Sequence, residues 1–188
     1  MQTIPLIKLK DKKIIEEHKS LLDDLAEDSL IYIYDLDGIK KDKPDLCIYQ
    51  KLSKKFNLWI DSGPRDLGDI VDIFLTGAVS VTIREKYCPQ IDIAQIREIS
   101  ENKVYIFLSD KEDRLIYDVD GLVIINEKQD NFDFQATDLL KKYSRQKDVF
   151  IYEGDVSNLA YWSKSEIKGL LVDVNKWKEA NEWILKEK

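Results

Sequence analysis

Leu58-Trp59-Ile60-Asp61-Ser62-Gly63 is answered without a gap, 91 residues further on, by Val149-Phe150-Ile151-Tyr152-Glu153-Gly154. Each segment is a short apolar run that closes in polar residues and a glycine, as expected of a strand buried on both faces and ending in a turn. The same offset lays Tyr32-Ile33-Tyr34-Asp35 over Val123-Ile124-Ile125-Asn126, and Ala78-Val79-Ser80-Val81 over Gly169-Leu170-Leu171-Val172. Self-similarity at a fixed spacing reports architecture more directly than local propensity does. Three strands sharing one offset predict two half-barrel repeats, about residues 1–100 and 101–188.

Outward from these segments, eight apolar runs are read as strands: Ile4 to Leu9, Leu30 to Asp35, Leu58 to Asp61, Ala78 to Ile83, Val104 to Leu108, Gly121 to Ile125, Val149 to Tyr152 and Gly169 to Asp173. Between most of them lies a stretch of helical period, such as Leu67, Ile70, Val71, Phe74 and Leu75, or Leu139, Leu140 and Tyr143. Strand and helix alternate, so the expected fold is α/β, a compact eight-stranded β/α barrel of the TIM type in one domain spanning residues 1–188. Such barrels typically need about 250 residues, so some outer helices must be short or missing, as between Ser109 and Asp120. An open doubly wound sheet is the other arrangement this alternation permits. Trp177, Ala180, Trp183 and Ile184 form one stripe on a closing helix, where a packing role suffices for both tryptophans.

Composition narrows the function classes. The 188 residues carry 36 acidic and 29 basic side chains, and a chain with pI near 4.9 repels phosphate backbones and anionic lipid at neutral pH. Neither a nucleic-acid nor a membrane-surface partner is expected. Cys47 and Cys88 have no Cys or His at ligand spacing, so they are read as buried thiols rather than a zinc or redox pair. The opening residues lack a secretion signal, and the expected location is cytoplasmic. Neither GxGxxG nor GxxxxGK[ST] occurs, and the lone His18 sits in a polar stretch with no assembled triad.

Ile4-Pro5-Leu6-Ile7-Lys8-Leu9, Tyr34-Asp35-Leu36-Asp37-Gly38-Ile39 and Asp61-Ser62-Gly63-Pro64-Arg65 together resemble the histidine-biosynthesis barrels, the phosphoribosylformimino-aminoimidazole-carboxamide ribotide isomerase and its cyclase relative, and above all their archaeal related branch. The resemblance implies a doubled half-barrel and a place in archaeal-type biosynthetic metabolism. It also shows departures. The isomerase's first catalytic aspartate falls where this chain has Lys8, and the second falls near Ser109 and Asp110. That family holds two substrate phosphates on glycine-rich turns, whereas the corresponding turns here are Asp61-Ser62-Gly63-Pro64, Thr82-Ile83-Arg84-Glu85, Tyr152-Glu153-Gly154-Asp155 and Asp173-Val174-Asn175-Lys176. A carboxylate 4 Å from a phosphate costs about 4 kcal/mol at an effective dielectric near 20. A bis-phosphorylated sugar is therefore not the expected ligand.

In a β/α barrel, chemistry occurs where the strands end. The polar residues just past the apolar runs are Lys8, Asp35, Asp61, Arg65, Arg84, Asp110, Glu127, Glu153 and Asp173. Lys8 is read either as a neutralising charge in a structural network or as a catalytic amine or general acid with Asp35 or Asp110 as its proton partner. Carboxylates around it would hold the ammonium protonated, which favours electrostatic stabilisation over Schiff-base chemistry. Arg65 and Arg84 are candidate clamps for a carboxylate or a single phosphate, with Asp61, Glu127, Glu153 and Asp173 completing the binding set. No cofactor is implied; magnesium on Asp35, Asp37 and Asp61 stays open beside a plain turn at Asp37-Gly38. The partner is a small-molecule metabolite, homo-oligomerisation is left open, and an acid/base enzyme and a ligand-binding barrel without turnover both stand. Inorganic phosphate or a sugar bisphosphate is expected to leave the melting temperature unchanged in a thermal scan, whereas a strong rise would restore the phosphate sites.

Overall fold

A computed structural model describes residues 1–108, 118–126 and 134–186. Eight parallel strands form the wall: β1 (Gln2–Lys10), β3 (Leu30–Asp35), β4 (Asn57–Asp61), β5 (Ser80–Arg84), β6 (Lys103–Leu108), β7 (Gly121–Asn126), β8 (Asp148–Glu153) and β9 (Gly169–Asp173). They are hydrogen-bonded in chain order, and β9 pairs back onto β1. That closing ladder excludes the open sheet. The remaining strand, β2 (Lys13–Ile14), is a two-residue arm folded antiparallel onto the end of β1.

Helices α1 (Glu16–Lys19), α2 (Leu36–Lys41), α3 (Leu46–Leu52), α4 (Leu67–Leu75), α5 (Ile93–Ile99), α6 (Phe134–Tyr143), α7 (Leu159–Trp162) and α8 (Val174–Lys186) lie between and after the strands. Most are short, which is how eight strands close within this length. Aspartates start many of them: the side chains of Asp35, Asp45, Asp66 and Asp92 each accept a backbone N–H in the first turn of the helix that follows. On α4 the buried positions are Ile70 and Ile73, while Leu75, expected on the apolar stripe, is exposed. Cys88 is buried, but Cys47 is exposed, contrary to the expectation for both. Among the described residues, no helix is long and apolar enough to cross a membrane.

Register gives the barrel its number. From Lys8 the lateral line runs through Tyr34, Asp61, Thr82, Tyr105, Gly121 and Asp148; carried on through β9, it re-enters β1 eight residues before Lys8. A stagger of eight over eight strands is that of TIM barrels. The paired segments agree with the 91-residue offset for two strands, because Tyr32 faces Trp59 as Val123 faces Phe150. On the third strand the ladder slips by two residues. Trp59 pairs with Ser80, whereas Phe150 pairs with Gly169. A slip of two preserves which face each side chain occupies.

Alternation along the strands separates two cores. One lies between wall and helices; the other fills the barrel with Ile4, Leu6, Tyr32, Trp59, Tyr105, Phe107, Val123, Phe150 and Leu171. Trp59 is the hub of the second, with ring centroids 5.0 Å from Tyr32, 4.0 Å from Tyr105 and 4.9 Å from Phe150. Its indole N–H donates to Thr82 Oγ1 at 2.8 Å, so the buried donor is satisfied. Room for these rings comes from glycine. A Cβ on Gly121 would lie 2.3 Å from Asp148 O and 3.1 Å from the Tyr105 ring, and one on Gly169 would lie 3.3 Å from Phe150. Trp59→Ala is expected to cost about 3–5 kcal/mol in chemical denaturation, through lost burial and the cavity left at the hub.

Candidate functional site

The strand ends place two ion pairs on opposite sides of the barrel mouth. On one side Lys8 Nζ, from β1, lies 3.0 Å from Asp173 Oδ1 of β9 and donates to Asp173 Oδ2 at 3.1 Å and to Tyr152 Oη of β8 at 3.0 Å. The Tyr152 hydroxyl also bonds Asp173 Oδ2 at 3.1 Å, closing a three-residue ring. Burial works to lower the Lys8 pKa, but Tyr152 and Asp173 outweigh it and the pKa is raised. Lys8 is thus an ammonium at neutral pH. Burial pushes the Tyr152 phenol up as well, although Lys8 opposes it.

On the other side Arg84 of β5 grips Asp61 of β4 with two prongs, Nε to Oδ1 at 3.1 Å and Nη2 to Oδ2 at 2.7 Å. Asp61 is completely buried and also accepts the Tyr32 hydroxyl at 3.0 Å. The guanidinium lies 4.0 Å from the centroid of Phe107 and 5.4 Å from that of Tyr34. Burial raises the Asp61 pKa in spite of Arg84, whereas the partnership with Asp61 holds the arginine charged even though burial opposes it. The two tendencies pull apart. An arginine does not shed its proton here, and Tyr32 and the Gly63 N–H add donors to the carboxylate, so the ionised pair governs at neutral pH.

Other expected site residues lie elsewhere. Alternation decides the first two: Tyr34 and Tyr152 face the barrel interior, so Asp35 and Glu153, one residue later, face the helix layer rather than the mouth. Asp35 accepts the N–H groups of Asp37 and Gly38 at 2.9 and 3.1 Å, that of Asp45, and the Tyr49 hydroxyl. It is a helix cap, and the carboxylate that pairs with Lys8 is that of Asp173. Glu153 accepts the Trp162 indole N–H at 2.8 Å and the Asp155 N–H at 2.8 Å. Arg65 follows β4 and is engaged by Asp42 and by the Tyr87 hydroxyl at 3.3 Å, while Asp69 accepts its backbone N–H. Asp110 and Glu127 lie outside the described residues.

The magnesium reading meets dispersed carboxylates. The strand ends at Asp35, so Asp37 does not continue its alternation but sits in α2, bonded to Lys41 at 2.7 Å and to the Lys12 N–H at 3.1 Å. Asp61 is held by Arg84. Among the described residues no three His, Cys, Asp or Glu side chains converge on one point. Two residues that the strand-end reading overlooked do reach the mouth: Tyr152, visible in hindsight from its parity with Phe150, and His18, whose Nδ1 accepts the Lys8 N–H at 3.1 Å.

No protein-family model matches the chain, and no curated protein matches it. Among solved structures, 3-hexulose-6-phosphate synthase from Salmonella typhimurium superposes over 100% of this chain and 99% of its own, with TM-score 0.63 and 12% identity. At that identity the likeness shows the fold alone. The chain is an α/β TIM barrel whose fold is shared with a metabolic enzyme.

The raised Lys8 pKa fixes a pH dependence. A lysine whose folded pKa exceeds its unfolded value contributes stability that is complete below the unfolded value and is lost as pH rises through the folded one. The difference in unfolding free energy between wild type and Lys8→Met should therefore be constant through neutral pH and shrink above the ordinary lysine range. A difference that grows with alkaline pH would contradict the pairing.

Proposed function

We propose that this barrel is a small-molecule metabolic enzyme that works by acid/base chemistry at the C-terminal ends of its strands, with Asp173 as the base that takes a proton, Tyr152 as the donor that returns one and Lys8 as the charge that stabilises the oxygen between them. It would be a divergent relative of the histidine-biosynthesis barrels, built from two fused half-barrels and serving an archaeal-type pathway, but not the bis-phosphate isomerase. The observation that carries this reading is the Lys8–Tyr152–Asp173 ring, an ammonium and a phenol sharing one carboxylate where three strands end. A charged lysine does not form a Schiff base. Its chemistry is to stabilise negative charge developing on an oxygen, with the adjacent phenol as proton donor.

Arg84 offers a second cation across the mouth, suited to a carboxylate or a single phosphate once its grip on Asp61 is shared. The substrate class that matches is a carbonyl or amine metabolite with no more than one phosphate. Nucleic acid and membrane lipid are not proposed as partners, given the net charge of −7. A barrel that binds such a ligand without turnover is the competing reading, favoured by the complete burial of Asp61 beneath Arg84 and by Lys8 standing where the isomerase has an aspartate.

Pyruvate and ribose 5-phosphate in D2O separate the two. An enzyme of the proposed kind raises its melting temperature with at least one of them and exchanges the proton next to the carbonyl, as followed by NMR. Exchange is expected to fall at least 100-fold, the scale of a general acid–base contribution, in Lys8→Met and Tyr152→Phe and to persist in Asp35→Asn. Binding without exchange supports the non-catalytic barrel, and exchange unaffected by Lys8→Met would overturn the assignment of the ring.

A further inference from the structure

β1 outruns its neighbour. The last pair between β1 and β9 is Leu6 with Asp173, after which the chain turns into α8, so Lys8, two residues further on, has no strand on that side. Both backbone groups of Lys8 are nevertheless taken. Its carbonyl accepts the Ile15 N–H at 3.1 Å, and its N–H donates to His18 Nδ1 at 3.1 Å. The arm that returns the chain to this edge pairs Leu9 with Ile14 and Lys10 with Lys13. It is turned by Asp11 and Lys12, both left-handed at φ 51° and 56°, conformations that non-glycine residues adopt at a cost. Asp37 accepts the Lys12 N–H at 3.1 Å and anchors the turn. A strained, anchored hairpin thus delivers one imidazole nitrogen to one amide.

We infer that His18 is a positioning residue of the mouth: as the neutral Nε2–H tautomer it replaces the ended β9 as acceptor for the Lys8 N–H, and so fixes the backbone from which the Lys8 ammonium reaches Tyr152 and Asp173. The inference rests on the reading that Lys8 is the working group. An Nδ1 that accepts cannot carry a proton, so protonation of the ring sets donor against donor and breaks the link. The ring is 3% exposed, and its burial lowers the pKa. Asp173 at the end of β9 and Glu17 on α1 raise it, Lys8 on β1 lowers it, and burial prevails. Acid must therefore both charge a buried ring and give up the Lys8 amide bond.

His18 is the one histidine in the chain, so its ring resonances are unambiguous in 15N NMR. In the full-length protein at neutral pH, Nε2 is expected to carry the proton, and the Lys8 amide shift should follow the His18 titration. In His18→Leu the Lys8 amide should lose at least ten-fold in hydrogen-exchange protection and the Lys8 ammonium pKa should fall towards its ordinary value. His18→Asn, whose side-chain oxygen can occupy the Nδ1 position, should restore both. An Nδ1–H tautomer in wild type, or a Lys8 amide indifferent to the His18 titration, overturns the inference even if His18→Leu does not fold. If the amide and ammonium follow His18 while neither metabolite is exchanged, the positioning stands and the enzymatic reading falls. If exchange needs Lys8 but not His18, the reverse holds.

Discussion

Gln2 to Leu6 of β1 pair in register with Gly169 to Asp173 of β9, and this seam turns a row of eight strands into a closed wall. Closure fixes the interior and exterior of every strand at once, because side chains alternate and a one-residue slip would exchange the two faces. Trp59 and its ring partners then fill the inside, while the outer face of the same strands packs against short helices. The seam also carries the site. Lys8 belongs to the first strand of the barrel and Asp173 to the last, and they meet only because those strands are neighbours.

Among the described residues the mouth is charged yet balanced. Lys8 is matched by Asp173 and Arg84 by Asp61. The two pairs differ in what burial costs them. Asp61 is sealed from water, where the desolvation of both ions offsets much of their attraction, so that pair specifies geometry more than it adds stability. Lys8 and Asp173 keep part of their hydration, with 27% and 15% of their side chains exposed, and retain access to whatever enters the mouth. An ammonium that remains charged while partly open suits it to negative charge that appears during a reaction or on a bound ligand.

Much of this fold is legible in the sequence, since the eight apolar runs coincide with the eight barrel strands and the 91-residue offset holds for the pairings of β3 with β4 and of β7 with β8. The two-residue slip at β5 and β9 was not, because a gapless match compares residue types and not hydrogen-bond partners. The positions of two expected site residues differ for a related reason. Choosing the polar residue just past each apolar run ignores parity, so that rule points Asp35 and Glu153 at the mouth although Tyr34 and Tyr152 occupy those positions. Counting by twos from the buried aromatics would have corrected this: Asp61 shares the parity of Trp59, and Tyr152 that of Phe150. His18 had no comparable signal, because its partner is a backbone amide set by how far β1 extends beyond β9.

The most direct test of the account is a double-mutant cycle across the seam, measuring unfolding free energies of wild type, Lys8→Met, Asp173→Asn and the double variant at neutral pH and low salt. Residues in contact couple by about 0.5–3 kcal/mol, and a favourable coupling in that range is the result expected here. Additivity to within about 0.3–0.5 kcal/mol would mean that the first and last strands do not bring these two side chains together, and would contradict the barrel mouth as described.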